Sequence, residues 1–178
     1  MPKTPIYLDT EFILTKYGPM PLSLAFTTED KGELYVVITD TDRSLADEFV
    51  RSEVLPYIDN EVPGATNYAL PSHVAKYRIL EWLTGIRSLN GIEFWAYFCA
   101  HDWVTLTHLW GGSFQDLPKT LPHKCNDVMT IADWKGYRLK ELPRYEGSTD
   151  FPTHHAMTDA RDVRAKHQFL CGNSKVYY

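Results

Sequence analysis

Residues 6–14 read IYLDTEFIL. Ile6, Leu8, Phe12 and Ile13 mark a buried strand, yet Asp9 and Glu11 stand one residue apart inside it. Side chains two apart on a strand point the same way, so the two carboxylates share a face and Thr10 lies opposite. Two acids in apolar surroundings repel each other and lose hydration. An edge strand with both acids in water is the ordinary explanation of an arbitrary D-x-E. The apolar residues around this pair argue instead for a divalent cation that cancels the charge, and hard oxygen ligands suit Mg²⁺ or Mn²⁺.

The chain of 178 residues is 44% hydrophobic and 13% aromatic, enough for one domain, 1–178, with a real core. Residues 171–178 read as a C-terminal tail or weak edge element. Eighteen Lys and Arg stand against 23 Asp and Glu, a formal charge of -5. That balance excludes a general nucleic-acid coat protein; any nucleic acid must be gripped locally, with cations offsetting the acids. Cys99, Cys125 and Cys171 match neither a CxxC metal site nor a disulfide framework, so a reduced, cytoplasmic setting is expected. MPKTPIYLDTEF is too acidic and too poor in apolar residues for a signal peptide, and no run reaches the length of a membrane span.

Outward from 6–14, PLSLAFTT (21–28) and GELYVVITD (32–40) read as two further strands joined by the turn EDKG, an antiparallel meander. Residues 44–58 read as a helix, with Leu45, Phe49 and Val50 at helical spacing and Ser44 as N-cap. Residues 59–72 read as a loop. Residues 72–89 read as a helix with an apolar face of Val74, Tyr77, Ile79, Leu80, Leu83 and Ile86. IEFWAYF (92–98) is a buried strand, and 101–112 a helix stopped by Gly111 with Trp103, Leu106 and Trp110 facing inward. Residues 113–122 form a loop, 123–134 a short strand leading into a helix, 135–152 an irregular segment and 154–170 a final helix. This order predicts an α/β domain with a mixed sheet.

Two further clusters join the strand acids. Asp102 follows the buried strand at a helix start, and ligand sites in open α/β sheets gather past strand ends; stabilising the helix N-terminus is its plainer role. In HHAMTDARD (154–162), His155 and Asp159 are four apart and would share a helix face. His154 and Asp159, five apart, could flank a reaction centre, and spacing alone does not choose between the histidines. Asp162 has a surface partner in Lys166, four residues on. Four acids and a histidine fit two-metal hydrolysis of a phosphodiester, with the histidine as general base.

A strand D-x-E (Asp9, Glu11), a helix-start aspartate (Asp102) and H-x4-D (His154, Asp159) resemble, in that order, the motifs of the DEDDh 3′→5′ exonucleases of the ribonuclease H-like superfamily. YLDTEFI, EFWAYFCAHDWVTLTHLWG and HHAMTDARD, with FVRSEVLP between them, are similar to the ribonuclease AS branch, polyadenylate-specific exoribonucleases with a ribonuclease T-like fold. The likeness runs from residue 6 to about 170 and is weakest at 59–71 and 113–152. It implies a ribonuclease H-like sheet, antiparallel in its first three strands and then parallel, flanked by helices. It implies two Mg²⁺ ions, replaceable by Mn²⁺: Asp9 on both, Glu11 and Asp159 on the first, Asp102 on the second. It selects His154 over His155 as the base. It implies a homodimer acting on the free 3′ end of single-stranded RNA, adenine-rich tails included, and releasing nucleoside 5′-monophosphates.

Substrate contacts are expected from Phe12, whose ring could stack on a base or pack in the core, from Thr10, and from His101 on a phosphate. Trp103, beside Asp102, joins them, although its apolar stripe favours the core. Arg161 could touch a phosphate or pair with Asp162. Rival readings are a 3′→5′ DNA exonuclease acting on single-stranded DNA, a non-catalytic nucleic-acid-binding module on the same fold, and a phosphatase of small nucleotides.

Overall fold

The computed structural model describes residues 3–87, 91–113, 115–145 and 154–172. The expected helix end at 88–89 and most of the tail, 173–178, lie outside them. A long strand β1 (Thr4–Thr15) pairs antiparallel with β2 (Gly18–Thr27), which pairs antiparallel with β3 (Glu33–Ile38). On the other side of β1 lie β5 (Ile92–Ala96) and then β6 (Cys125–Asp127), both parallel. With β4 (Thr66–Leu70) at the far edge, the order is β4-β3-β2-β1-β5-β6. The expected mixed sheet, antiparallel and then parallel, is present.

Alternation along β1 divides the core. Ile6 and Leu8 pack with Leu24, Phe26 and Val36 beneath α1 (Ser72–Ile86) and α2 (Ala100–His108). Ile13 packs on the other face with Leu22, Ala25 and Tyr35, against Ala156, Met157 and Ala160 of α4 (Ala156–Gly172). Leu22 and Leu24 fall on opposite faces although they are two apart. The β1–β2 register shifts between Glu11 and Phe12, and an extra residue in one strand reverses the parity beyond it.

Two sequence expectations give way here. The loop expected over 59–72 contains β4, paired parallel with β3 from Leu34↔Thr66 to Ile38↔Leu70. An edge strand with no fully buried side chain carries no apolar alternation to read. The single helix expected over 44–58 is instead a 3₁₀ turn at Arg43–Leu45 followed by a π-helical turn at Val50–Val54. Ser44 is not its cap: Ser44 N donates to Asp42 Oδ1 (3.0 Å), and Val50 N donates to Asp47 Oδ1 (2.8 Å). Ala46, Val50, Val54 and Ile58 face the core. Their spacing of four exceeds the 3.6 of an α-helix, and the wider π turn, closed by Leu55 N donating to Val50 O (3.0 Å), accommodates it. Leu45 and Phe49 face outward.

The short strand leading into a helix at 123–134 is present as β6 and α3 (Val128–Trp134), with Asp127 capping Met129 N at 2.8 Å. Among the described residues no helix is long and apolar enough to cross a membrane.

Candidate active site

β5 ends at Ala96, and its last partner on β1 is Tyr7. β1 therefore runs on past the end of its neighbour, and Asp9, Glu11 and Phe12 line an open cleft of about 1040 Å³. The chain leaving β5 turns into α2, whose first turn delivers Asp102 to this uncovered edge. Asp102 Oδ1 accepts from Thr10 N (2.9 Å) and from Thr10 Oγ1 (2.8 Å). Thr10 points to the α2 face, opposite to Asp9 and Glu11, so it ties Asp102 to the strand. It is 5% exposed, at the floor of the cleft that it helps to line, with its hydroxyl engaged by Asp102.

α4 delivers Asp159 from the other face. One carboxylate oxygen each from Asp9, Glu11 and Asp159 lie within 4.8 Å of one another. Burial and mutual repulsion act together on the cluster. Asp9 is pushed well above the usual carboxylate range by burial, then by Asp102, Asp159 and Glu11. Glu11 is pushed up to about 9 by burial, then by Asp159 and Asp102. Asp102 rises to about 6 through burial, against the lowering effect of its Thr10 bonds. Burial also raises Asp159, with His154 opposing. Such a cluster fits a divalent cation: every donor is a hard oxygen, and the repulsion among them is what a cation removes.

The two histidines part here. Neither is in the helix, which starts at Ala156. His154 has φ 70°, is exposed, lines the cleft, and donates its backbone N–H to Asp159 Oδ2 (3.1 Å). Its ring meets Phe49 edge-on at 5.0 Å. His155 is 2% exposed and stacks on Tyr35 at 4.8 Å. Burial, then Arg161, lower its pKa to about 4.

Among the other expected residues, Phe12 and His101 both line the cleft and stack on each other, 5.5 Å between centroids. Trp103 does not line it; its ring packs on Phe94 (5.7 Å) at the margin of the core, as its apolar stripe indicates. Arg161 does not pair with Asp162. Its Nε donates to Glu33 Oε1 at 3.1 Å, and Arg164 also reaches Glu33 at 3.4 Å. The Asp162–Lys166 pair is not at the surface: Lys166 is 7% exposed, both residues line the cleft, and Asp162 also accepts from Tyr145 N. Spacing revealed the pair but not its depth. Phe98, Arg138, Lys140 and Arg144 also line the cleft. Only the turn after β5 and the basic residues of an unpatterned segment could have signalled them.

By its relatives among known proteins, the chain that carries this sheet and these clustered acids is a nuclease, a hydrolase of nucleic-acid esters. More particularly, the chain belongs to the family of 3′→5′ exoribonucleases. It is 31% identical over 157 residues, 88% of this chain and 86% of theirs, to the 3′→5′ exoribonucleases of Mycobacterium tuberculosis strains CDC 1551 and H37Rv. A looser likeness, TM-score 0.44 at 14% identity, covers 96% of the chain and 28% of the Pan2 catalytic unit (protease and nuclease domain) of Neurospora crassa. No family model matches the chain.

Proposed function

We propose that this protein is a metal-dependent 3′→5′ exoribonuclease of the DEDDh type. In this reading it removes nucleoside 5′-monophosphates from the free 3′ end of single-stranded RNA, adenine-rich tails included, in the cytoplasm and as a homodimer. The observation that carries the reading is the convergence of Asp9, Glu11 and Asp159 within 4.8 Å in a cleft that also holds Asp102 and His154.

Asp9, Glu11, Asp102 and Asp159 would hold two Mg²⁺ ions, or Mn²⁺ in their place. Bound there, the ions supply Lewis-acid activation of water and charge neutralisation at the attacking and leaving oxygens. Thr10 fixes Asp102 by its Oδ1, which leaves Oδ2 for a cation. His154, at the cleft and tied to Asp159 through its backbone, takes the proton of the attacking water. Phe12, stacked on His101, offers a flat apolar surface beside Glu11 for the terminal base.

The test is a gel time course on 5′-labelled oligo(A), oligo(U), mixed RNA and matching DNAs, with Mg²⁺, Mn²⁺ or chelator. The expected result is a metal-dependent ladder shortening from the 3′ end of RNA, fastest on oligo(A), and abolished by Asp9→Ala. Equal rates on DNA would convert the reading to a general exonuclease. Retained activity in Asp9→Ala would refute the metal site.

A further inference from the structure

Phe98 is an outlier of the backbone. Its φ is 52°, in the left-handed region that bulky side chains avoid. The turn itself explains the conformation: β5 stops at Ala96, α2 starts at Ala100, and Phe98 N donates to Asp127 Oδ1 (3.2 Å), the oxygen that also caps Met129 N. Glycine or asparagine would serve that turn with less strain. The position instead carries a ring that is 59% exposed, backed by Tyr97 at 4.5 Å and facing the cleft. Strain held at a cleft beneath an exposed aromatic ring points to a use for that ring.

The same cleft carries cations on the segment after α3. Arg138, Lys140 and Arg144 are exposed, line the cleft, and make no ion pair among the described residues. Their segment is not loosely placed. Tyr137 and Leu142 are buried with Met129, Ala132 and Leu170, and Arg138 N donates to Glu141 Oε2 at 2.7 Å. In a chain of net charge -5, three unpaired cations beside the acids form a local attraction for phosphate. Rings for bases and cations for phosphates are the two components of single-strand grip.

We propose that Phe98 is a base-stacking platform, separate from Phe12, and that Arg138, Lys140 and Arg144 hold the phosphates of the same strand. Together they form a track for the nucleotides upstream of the scissile bond. The assignment rests on the reading of this cleft as a single-strand exonuclease site.

Phe98→Asn and Phe98→Gly suit the backbone at that position, so they keep or raise Tm while removing the ring. One assay measures anisotropy of a 5′-fluorescein RNA octamer in chelator; another measures kcat/KM for octamer relative to dinucleotide in Mg²⁺. Both variants are expected to bind the octamer about tenfold more weakly and to lose a similar factor of the octamer preference. Replacing Arg138, Lys140 and Arg144 together by Gln is expected to reduce the slope of log K against log salt by about 2. Folded Phe98 variants with unchanged octamer binding and unchanged preference overturn the platform, and an unchanged salt slope overturns the cationic grip. A wild-type protein that cleaves no RNA, yet binds the octamer through Phe98, leaves the track standing and removes the exoribonuclease reading.

Discussion

His154 and His155 are adjacent in sequence and differ in every physical respect that matters to catalysis. His154 stands in the cleft beside Asp159. His155 is buried immediately before α4 with its ring on Tyr35, and burial disfavours its charged form. His154→Ala should lower kcat by about 10²–10⁴, the usual contribution of a general base, and leave the unfolding midpoint near that of wild type. His155→Ala should instead cost about 2 kcal/mol of stability through the cavity it leaves, read by denaturant unfolding. The opposite pattern would move the base to position 155. Spacing cannot make this choice, because helical angles do not apply to two residues that precede the helix. The acids were more legible. A D-x-E flanked by apolar residues fixes a shared face by strand geometry alone. An aspartate after a buried strand has few places to be. Phe98 was invisible by contrast, since backbone φ has no signature in a Phe.

At the scale of elements, the position of Asp159 depends on how α4 is seated on the sheet. Met157 and Ala160 supply its apolar contact, and Arg161 and Arg164 clasp Glu33 at the start of β3. The Arg161–Glu33 pair is largely buried, with side chains 12% and 15% exposed. Removing one partner of such a pair leaves the other charge poorly hydrated. Arg161→Met should cost about 2 kcal/mol, moderated by Arg164, and should also reduce metal-dependent activity by loosening Asp159. Calorimetric unfolding and metal titration of the same variant check both effects; wild-type stability would mean that apolar packing alone seats the helix. Elements with a buried stripe are legible: β1, β2, β3, β5, α1 and α4 all carry one, although the stripe of α1 is Ala75, Ile79 and Leu83 and the Tyr77 expected on it is 64% exposed. β4 is not, since an edge strand answers to its neighbour's hydrogen bonds more than to its own side chains. The π turn is hidden in the sequence because Leu45, Phe49 and Val50 mimic helical spacing, while the buried residues fall four apart.

For the whole molecule, the buried acids cost stability when they ionise, a cost that a bound cation would relieve. The sheet places Asp9 and Glu11 at the open end of its central strand, and α2 and α4 bring Asp102 and Asp159 from opposite faces. The cation-free folded state therefore holds protons that an unfolded chain has released. Glu11 shows the sign: its folded pKa is about 9 against an unfolded value of 4.5. Its contribution to stability is full below the unfolded value and disappears as pH rises through the folded one. His155 works the other way, with about 4 folded against 6.5 unfolded, so its contribution is full above 6.5 and disappears as pH falls toward 4. In chelator, Tm should accordingly fall as pH rises from about 6.5 to about 9, a window in which His155 contributes nothing further. Saturating Mg²⁺ should flatten that fall, because the cation binds the ionised acids and so adds most where they are deprotonated, about 2.7 kcal/mol at a hundredfold excess over Kd. Glu11→Gln should flatten much of it without any metal, having removed the carboxylate whose ionisation is costly. Differential scanning fluorimetry across this pH range, on wild type and Glu11→Gln with and without Mg²⁺, reads all four curves. Parallel slopes for the two proteins in chelator would mean that the acid cluster is not what sets the alkaline limit of the fold.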